Sequence, residues 1–365
     1  MPVEIPKTMR AVVYRGVNDL RVETVLVPRI GAGELLVRVA ACGVCPTDIK
    51  KIQYGTVPPP RIFGHETAGT VVRVGARVRG FRTGERVALH HHVPCLRCYD
   101  CRHGAYAHCA QCKRTGITAG FEPSGGGYAE YVRVMSFALP GIVKIPRRNS
   151  FIEGAMQEPV NTVLKAVKKL ALLRGDTVLV AGQGPIGLIF TRLLVLYGMK
   201  VMATDLLEPR LKMAKRWGAK WTFKADDPEL IEKARRLTSG RGVDAVVLAV
   251  PVDAAFFQAQ KLVRGEGKIM LFAHTRRGAE TALDLSGVCV DEKDLIGSYS
   301  VDFRLQKEVA RWVFSRKLDV RQLVTHEFPL AETAAAVELA AHPRPESLKV
   351  VVVHDMQKAE RTAKR

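Results

Sequence analysis

The sequence predicts an α/β protein in two parts, an irregular β domain followed by a doubly wound parallel sheet, and three observations carry that expectation. From Met9 to about Ile145, short runs of alternating apolar residues are broken by Gly and Pro, as in a domain of short strands; Met9 to Tyr14, Leu35 to Val39, Gly69 to Val74 and Ala129 to Val134 are examples. The apolar run Thr177 to Ala181 is followed at once by Gly182-Gln183-Gly184-Pro185-Ile186-Gly187 and a helical stretch to about Tyr197. Strand and helix then alternate to about Ser300, with strands at Lys200 to Thr204, Ala245 to Ala249, Lys268 to Phe272 and Leu295 to Tyr299 in a six-stranded sheet. One helix, Leu305 to Phe314, and a strand, Leu348 to Val353, are expected beyond it, and the charged tail from Met356 reads as frayed.

With 365 residues the chain exceeds one ordinary core and suggests two domains. Hydrophobic residues at 47% and charged residues at 25% are globular values, which exclude a disordered or fibrous class. Met1-Pro2-Val3-Glu4-Ile5-Pro6 has no basic-then-apolar run, and Arg174, Asp176 or Arg192 break the longest apolar stretches, so neither a signal peptide nor a membrane span is expected. The formal charge of +20 is spread along the chain without a long basic run or interleaved aromatics, which argues against a nucleic-acid face. It leaves a general pull on anionic substrates or cofactors. The eight cysteines cluster in the manner of metal ligands in a reducing compartment, for which the cytoplasm is the default.

Gly64-His65-Glu66-Thr67-Ala68-Gly69 sets an imidazole beside a carboxylate between two glycines. Zinc that does chemistry takes three protein ligands from Cys, His and Asp/Glu and keeps the fourth position open, so His65 needs partners. Upstream, Gly43-Val44-Cys45-Pro46-Thr47-Asp48 offers a thiolate, a hydroxyl and a carboxylate, and downstream Gln157-Glu158-Pro159 offers a further carboxylate. Separately, Cys95-x-x-Cys98-x-x-Cys101 followed by Cys109 brings four thiolates close enough to close a tetrahedron around a structural zinc. Two alternatives stay open there: Cys112 in place of one of the four, or participation of His90, His91, His92 or His103.

The Gly-rich turn between strand and helix, with Asp205 at the close of the next strand, is a dinucleotide fingerprint. Gly182, Gly184 and Gly187 let the backbone approach a pyrophosphate, the helix that opens at Pro185 and Ile186 supplies amide donors from Ile186 onward, and Asp205 accepts from the adenosine ribose hydroxyls. A phosphate on that ribose would be repelled by Asp205, which favours NAD over NADP, while Arg210 and the overall positive charge pull the other way.

In this order, the zinc-ligand set, the four-Cys lobe and the dinucleotide fold resemble the zinc-dependent medium-chain dehydrogenase/reductase family over nearly the whole chain. The resemblance implies a GroES-like catalytic domain at residues 1–158, a Rossmann NAD-binding domain at 159–300 and a C-terminal segment at 301–365 that returns to the first domain, with the active site in the cleft between. It implies Cys45 and His65 as catalytic zinc ligands and Glu158 at the third-ligand position, where ethanol-type alcohol dehydrogenases carry Cys and polyol and threonine dehydrogenases carry Glu. Glu66 would be an alternating ligand, and Asp48 the carboxylate that orients the His65 imidazole. Thr162 matches the nicotinamide shelf, and Arg210 matches a cationic contact to the adenosine ribose.

Cys95, Cys98, Cys101 and Cys109 complete the metal set, so two zinc ions per chain and NAD are expected. The implied substrate is a small-molecule alcohol or ketone and the implied assembly a homo-oligomer, dimer or tetramer, with no nucleic-acid or membrane partner. Two positions depart from the family pattern. Lys50 stands where a His often forms the outer end of the proton relay, leaving Thr47 to pass the proton outward, and Pro46 replaces a cationic or glycine residue, which argues against an ethanol-type enzyme. The expected reaction is reversible oxidation of a secondary alcohol of a polyol, sugar or hydroxy amino acid to its ketone, with zinc as Lewis acid and template and hydride passing to nicotinamide. Competing readings are an NADPH-linked zinc reductase and a non-enzymatic zinc protein that binds nucleic acid through the four-Cys lobe. Cys42, Cys112 and Cys289 read as small core or surface thiols.

Overall fold

The structure, a computed structural model, describes residues 4–90, 92–115, 124–273 and 278–354; His91 and the tail from Met356 lie outside them. The chain divides into two compact units, Met1–Asn161 with Ser300–Arg365, and Thr162–Tyr299.

The first unit is built on a seven-stranded sheet. Val324–Pro329, Lys349–Val353, Leu35–Gly43, Glu66–Val74, Arg86–Ala88 and Val143–Lys144 lie side by side in that order, and Tyr131–Val134 also pairs with Leu35–Gly43. Leu35–Gly43 is apolar nearly throughout because it is buried on both faces. Thr8–Gly16 and Asp19–Leu26 form a separate antiparallel hairpin. The strand Lys349–Val353, close to the C-terminal end of the described chain, pairs antiparallel with Leu35–Gly43, setting Val351 opposite Gly43. That register carries the last strand to the segment that leads into Cys45.

The second unit is a six-stranded parallel sheet in the order Trp221–Lys224, Lys200–Asp205, Thr177–Ala181, Val243–Leu248, Val263–Leu271, Asp294–Gly297. Numbered along the chain this is 3-2-1-4-5-6, the doubly wound Rossmann order, with its switch point beside the first strand. Thr177–Ala181 is entirely buried, which is why its sequence is a continuous apolar run. Trp221–Lys224 escaped the sequence reading: it is four residues long, lies at the sheet edge and is only half-buried, so it shows neither a long run nor alternation. The expected helix Leu305 to Phe314 begins as a 3-10 turn, Phe303–Leu305, and continues as an α-helix over Gln306–Phe314. Among the described residues no helix is long and apolar enough to cross a membrane.

Candidate metal centres and cofactor cradle

Cys45 occupies the N-cap of the helix Pro46–Tyr54, with Pro46 in the first turn, where its missing N–H costs nothing. Asp48 sits in the same first turn, fully buried, where the helix dipole favours negative charge. Its carboxylate lies 3.2 Å (Oδ1) and 3.0 Å (Oδ2) from His65 Nδ1, and Oδ2 accepts the Gly64 N–H at 3.3 Å. Burial alone would raise the Asp48 carboxyl, but the His65 ring, Lys51 and the Gly64 N–H outweigh it and hold it below the usual carboxylate range. Burial likewise disfavours the His65 imidazolium, yet Asp48 and Cys45 hold its pKa well above the ordinary histidine value. An ionised Asp48 keeps the proton on Nδ1, which leaves Nε2 to a metal.

The donor atoms of Cys45, His65 and Glu66 all lie within 4.8 Å of one another. One sulfur, one imidazole nitrogen and one carboxylate oxygen fit a zinc ion in its chemical class. Glu158, expected as the third ligand, lies outside that group. It is buried in the first turn of the helix Gln157–Leu170, and burial, reinforced by Glu66 and Asp48 against His65 and Lys349, pushes its carboxyl up to about 7.

Glu66 is held by a residue that the sequence reading did not single out. Lys349 Nζ lies 2.6 Å from Glu66 Oε1 and 2.5 Å from Oε2 and donates to the Val44 carbonyl oxygen at 2.8 Å. Burial works against its charge, but Glu66, Cys45 and Glu158 together hold the ammonium above the ordinary lysine value. A Cβ on Gly43 would collide with Glu66 Oε2 and touch Lys349 Cε, so the glycine before Val44 makes room for this pair. The available signal was a lysine inside the apolar strand Lys349-Val350-Val351-Val352-Val353. Thr47 and Lys50 lie half-buried on the helix that Cys45 caps. Burial lowers the Lys50 amine, partly offset by Cys45.

In the lobe, the sulfurs of Cys95, Cys98, Cys101 and Cys109 lie within 4.8 Å of one another, a closed four-thiolate set with no carboxylate or imidazole among them. Cys112 is buried against this set without belonging to it, and His103 Nδ1 is engaged by the Tyr99 carbonyl oxygen at 2.9 Å. His90 is fully buried, its imidazole pushed down to about 4 mainly by burial, and it is not in the cluster.

In the second unit, Gly182 takes φ 88 and a Cβ on Gly187 would strike the Gly182 carbonyl oxygen, so strand and helix close tightly only with glycine there. Nothing lies within 4 Å of a Cβ built on Gly184, which caps the helix Pro185–Leu196, leaving its first amides, including Ile186, approachable by a phosphate. Asp205 accepts the Gln183 N–H at 2.6 Å and the Leu207 N–H at 2.9 Å, which fixes its carboxylate at the rim of the Gly-rich turn. Arg210 Nη1 stands 3.9 Å from Asp205 Oδ2. Thr162, half-buried, begins this unit.

Two family models match the chain, the alcohol dehydrogenase GroES-like domain over residues 31–147 and the zinc-binding dehydrogenase over residues 185–315. The chain is 29% identical over 354 residues to sorbitol dehydrogenase of Bacillus subtilis, covering 95% of this chain and 98% of that one. It is 30% identical over 371 residues to erythritol/L-threitol dehydrogenase of Mycolicibacterium smegmatis, covering 97% and 99%. A crystal structure from Sinorhizobium meliloti bound to NADP is similar at a TM-score of 0.86 and 26% identity, covering 95% of this chain and 100% of that one. These matches set aside a non-enzymatic zinc protein, since the residues they span include both the Cys45–His65 cluster and the helix that leaves the Gly-rich turn, with Asp205 beyond it. The chain belongs to the zinc-dependent medium-chain dehydrogenase/reductase family and is a zinc-dependent oxidoreductase that uses NAD(H) or NADP(H).

Proposed function

We propose that this enzyme interconverts a secondary alcohol of a polyol, sugar or hydroxy amino acid and its ketone, with NAD as the hydride carrier. The observation that carries this is the donor set at Cys45, where one thiolate stands with His65 and the carboxylates of Glu66 and Glu158 nearby, in place of the two thiolates of an ethanol-type site. Such a site is harder, and exchange of a carboxylate suits a substrate that offers two vicinal hydroxyls. Sorbitol and erythritol or threitol, the substrates in the names of the two relatives, are molecules of that kind.

When bound, zinc supplies Lewis-acid polarisation of the substrate oxygen and the nicotinamide accepts the hydride. The chain's own residues do the rest. Asp48 holds the His65 ring in one orientation and tautomer. Lys349 balances the Glu66 charge, Thr47 hands the hydroxyl proton outward, and Lys50 stands at the outer end of that path. Asp205 is the basis for NAD, because a carboxylate at the rim of the Gly-rich turn accepts ribose hydroxyls and repels a phosphate. Arg210, 3.9 Å away, is the feature that favours NADP, and a wild-type preference for NADP in steady-state kinetics would overturn that part.

The helix Leu285–Val290 has no buried residue and leads into the outermost strand Asp294–Gly297, which supports a homo-oligomer that light scattering would test. Free cysteines gathered as metal ligands support the cytoplasm. The deciding experiment is a substrate panel read by NADH absorbance. Sorbitol-like polyols, threonine and sugar phosphates should exceed ethanol in kcat/KM, and a simple primary alcohol ranking highest would refute the polyol assignment.

A further inference from the structure

Five cysteines, not four, meet in the lobe. Cys101, Cys109 and Cys112 form one buried cluster against which Cys95 and Cys98 pack, while only Cys95, Cys98, Cys101 and Cys109 share the 4.8 Å sphere. The lobe also contains the same turn twice. In Cys95-Leu96-Arg97-Cys98 the Cys98 N–H is directed at the Cys95 sulfur at 3.4 Å, joined by the Arg97 N–H. In Cys109-Ala110-Gln111-Cys112 the N–H groups of Gln111 and Cys112 are directed at the Cys109 sulfur in the same way. Two C-x-x-C turns facing one another are sufficient to enclose zinc tetrahedrally. Beside the set within 4.8 Å, the lobe therefore offers a second four-thiolate combination, in which Cys112, packed in the same buried cluster, stands in for Cys101.

We propose that Cys112 is a reserve ligand of the lobe, which takes the zinc position when Cys101 leaves it, so that the metal passes between the two sets without escaping. The step is a ligand substitution. Cys112 gives up its thiol proton as its sulfur bonds to zinc, the zinc bond to Cys101 breaks, and the departing thiolate takes up a proton, so net charge and oxidation state are unchanged. The exchange takes place within one packed group, because Cys101 on the one-turn helix Tyr99–Arg102 and Cys112 on Ala110–Thr115 share a single buried cluster with Cys109.

The proposal rests on the reading of the lobe as a zinc site, and a wild-type protein with a single zinc per chain would sink that reading and the reserve role with it. With two zinc ions in the wild type, metal analysis of full-length variants isolates the reserve role. Cys101→Ser and Cys112→Ser should each keep the lobe zinc, and the double variant should lose it. Loss from Cys101→Ser alone overturns the proposal, and so does loss from Cys112→Ser alone, which would make Cys112 a resting ligand. Should Cys101→Ser fail to fold, the rate of lobe-zinc transfer to a chromophoric chelator decides with the other two proteins. Release from Cys112→Ser should be several-fold faster than from wild type, since nothing recaptures the metal, and equal rates overturn the proposal.

Discussion

Lys349→Met removes the ammonium that faces Glu66 while keeping a flexible chain of similar length in the same slot. Both partners are buried, and the lysine also donates to the Val44 carbonyl oxygen at 2.8 Å. Deleting one member of a buried pair usually costs ~3–5 kcal/mol, because the other charge is left uncompensated. In the metal-stripped variant that cost should appear nearly in full. With zinc loaded, the Glu66 carboxylate has a cation to turn to, since its oxygen already lies within 4.8 Å of the Cys45 and His65 donors. The remaining cost is the lost hydrogen bond to Val44, about 1 kcal/mol. Stripping the metal should therefore destabilise the variant more than the wild type by roughly 2–4 kcal/mol, and by linkage the variant should bind zinc at this site ~30- to 1000-fold more tightly. Urea unfolding of loaded and stripped protein measures the first quantity, and competition with a chelator of known affinity measures the second. Equal losses on stripping, with unchanged zinc affinity, would refute the view that Lys349 and zinc compete for Glu66.

Glu158→Gln should alter the pH dependence of the stripped protein. A carboxyl raised from 4.5 to about 7 keeps its proton in the folded state where the unfolded chain has lost it, so stability falls as pH rises through that window, by roughly 3 kcal/mol at most. The variant should lack that fall when unfolding is compared at about pH 5 and pH 8, and an unchanged slope would count against it. Asp205→Ser removes the acceptor of the Gln183 and Leu207 N–H groups as well as the carboxylate that repels a ribose phosphate. The KM for NAD should rise ~10-fold and discrimination against NADP should shrink, and steady-state kinetics with both cofactors would show otherwise if the assignment is wrong. Thr47→Val should leave zinc and NAD bound yet slow turnover by ~10²-fold or more, whereas Lys50→Ala should shift the pH–rate profile only modestly; wild-type rates in Thr47→Val would end the relay.

What could be read from the sequence divides along the range of the interactions. Short-range chemistry was visible: the Gly-rich turn with Asp205 and the cysteine spacings specify local backbone and donor type, and both recur in space with only small shifts of element ends. Which of the two named carboxylates, Glu66 or Glu158, gathers with Cys45 and His65 was not. Successive strand residues face opposite sides, which would separate His65 from Glu66. His65, however, precedes the strand that Glu66 begins and follows Gly64 at φ 97, and that left-handed turn lets both side chains reach one cluster. Lys349 was hidden for a different reason. Its partner is 283 residues away, and only the antiparallel register that sets Val351 against Gly43 brings them together. A buried lysine is tolerable only where a charge meets it, so an isolated cation in a valine-rich strand implies an unseen acid, but nothing local says which. Once the fold supplies Glu66 as that acid, the lysine stops being a structural oddity. With zinc bound, it would set how firmly the Glu66 carboxylate is withheld from the metal, and so how open the site would be to the oxygen of a substrate.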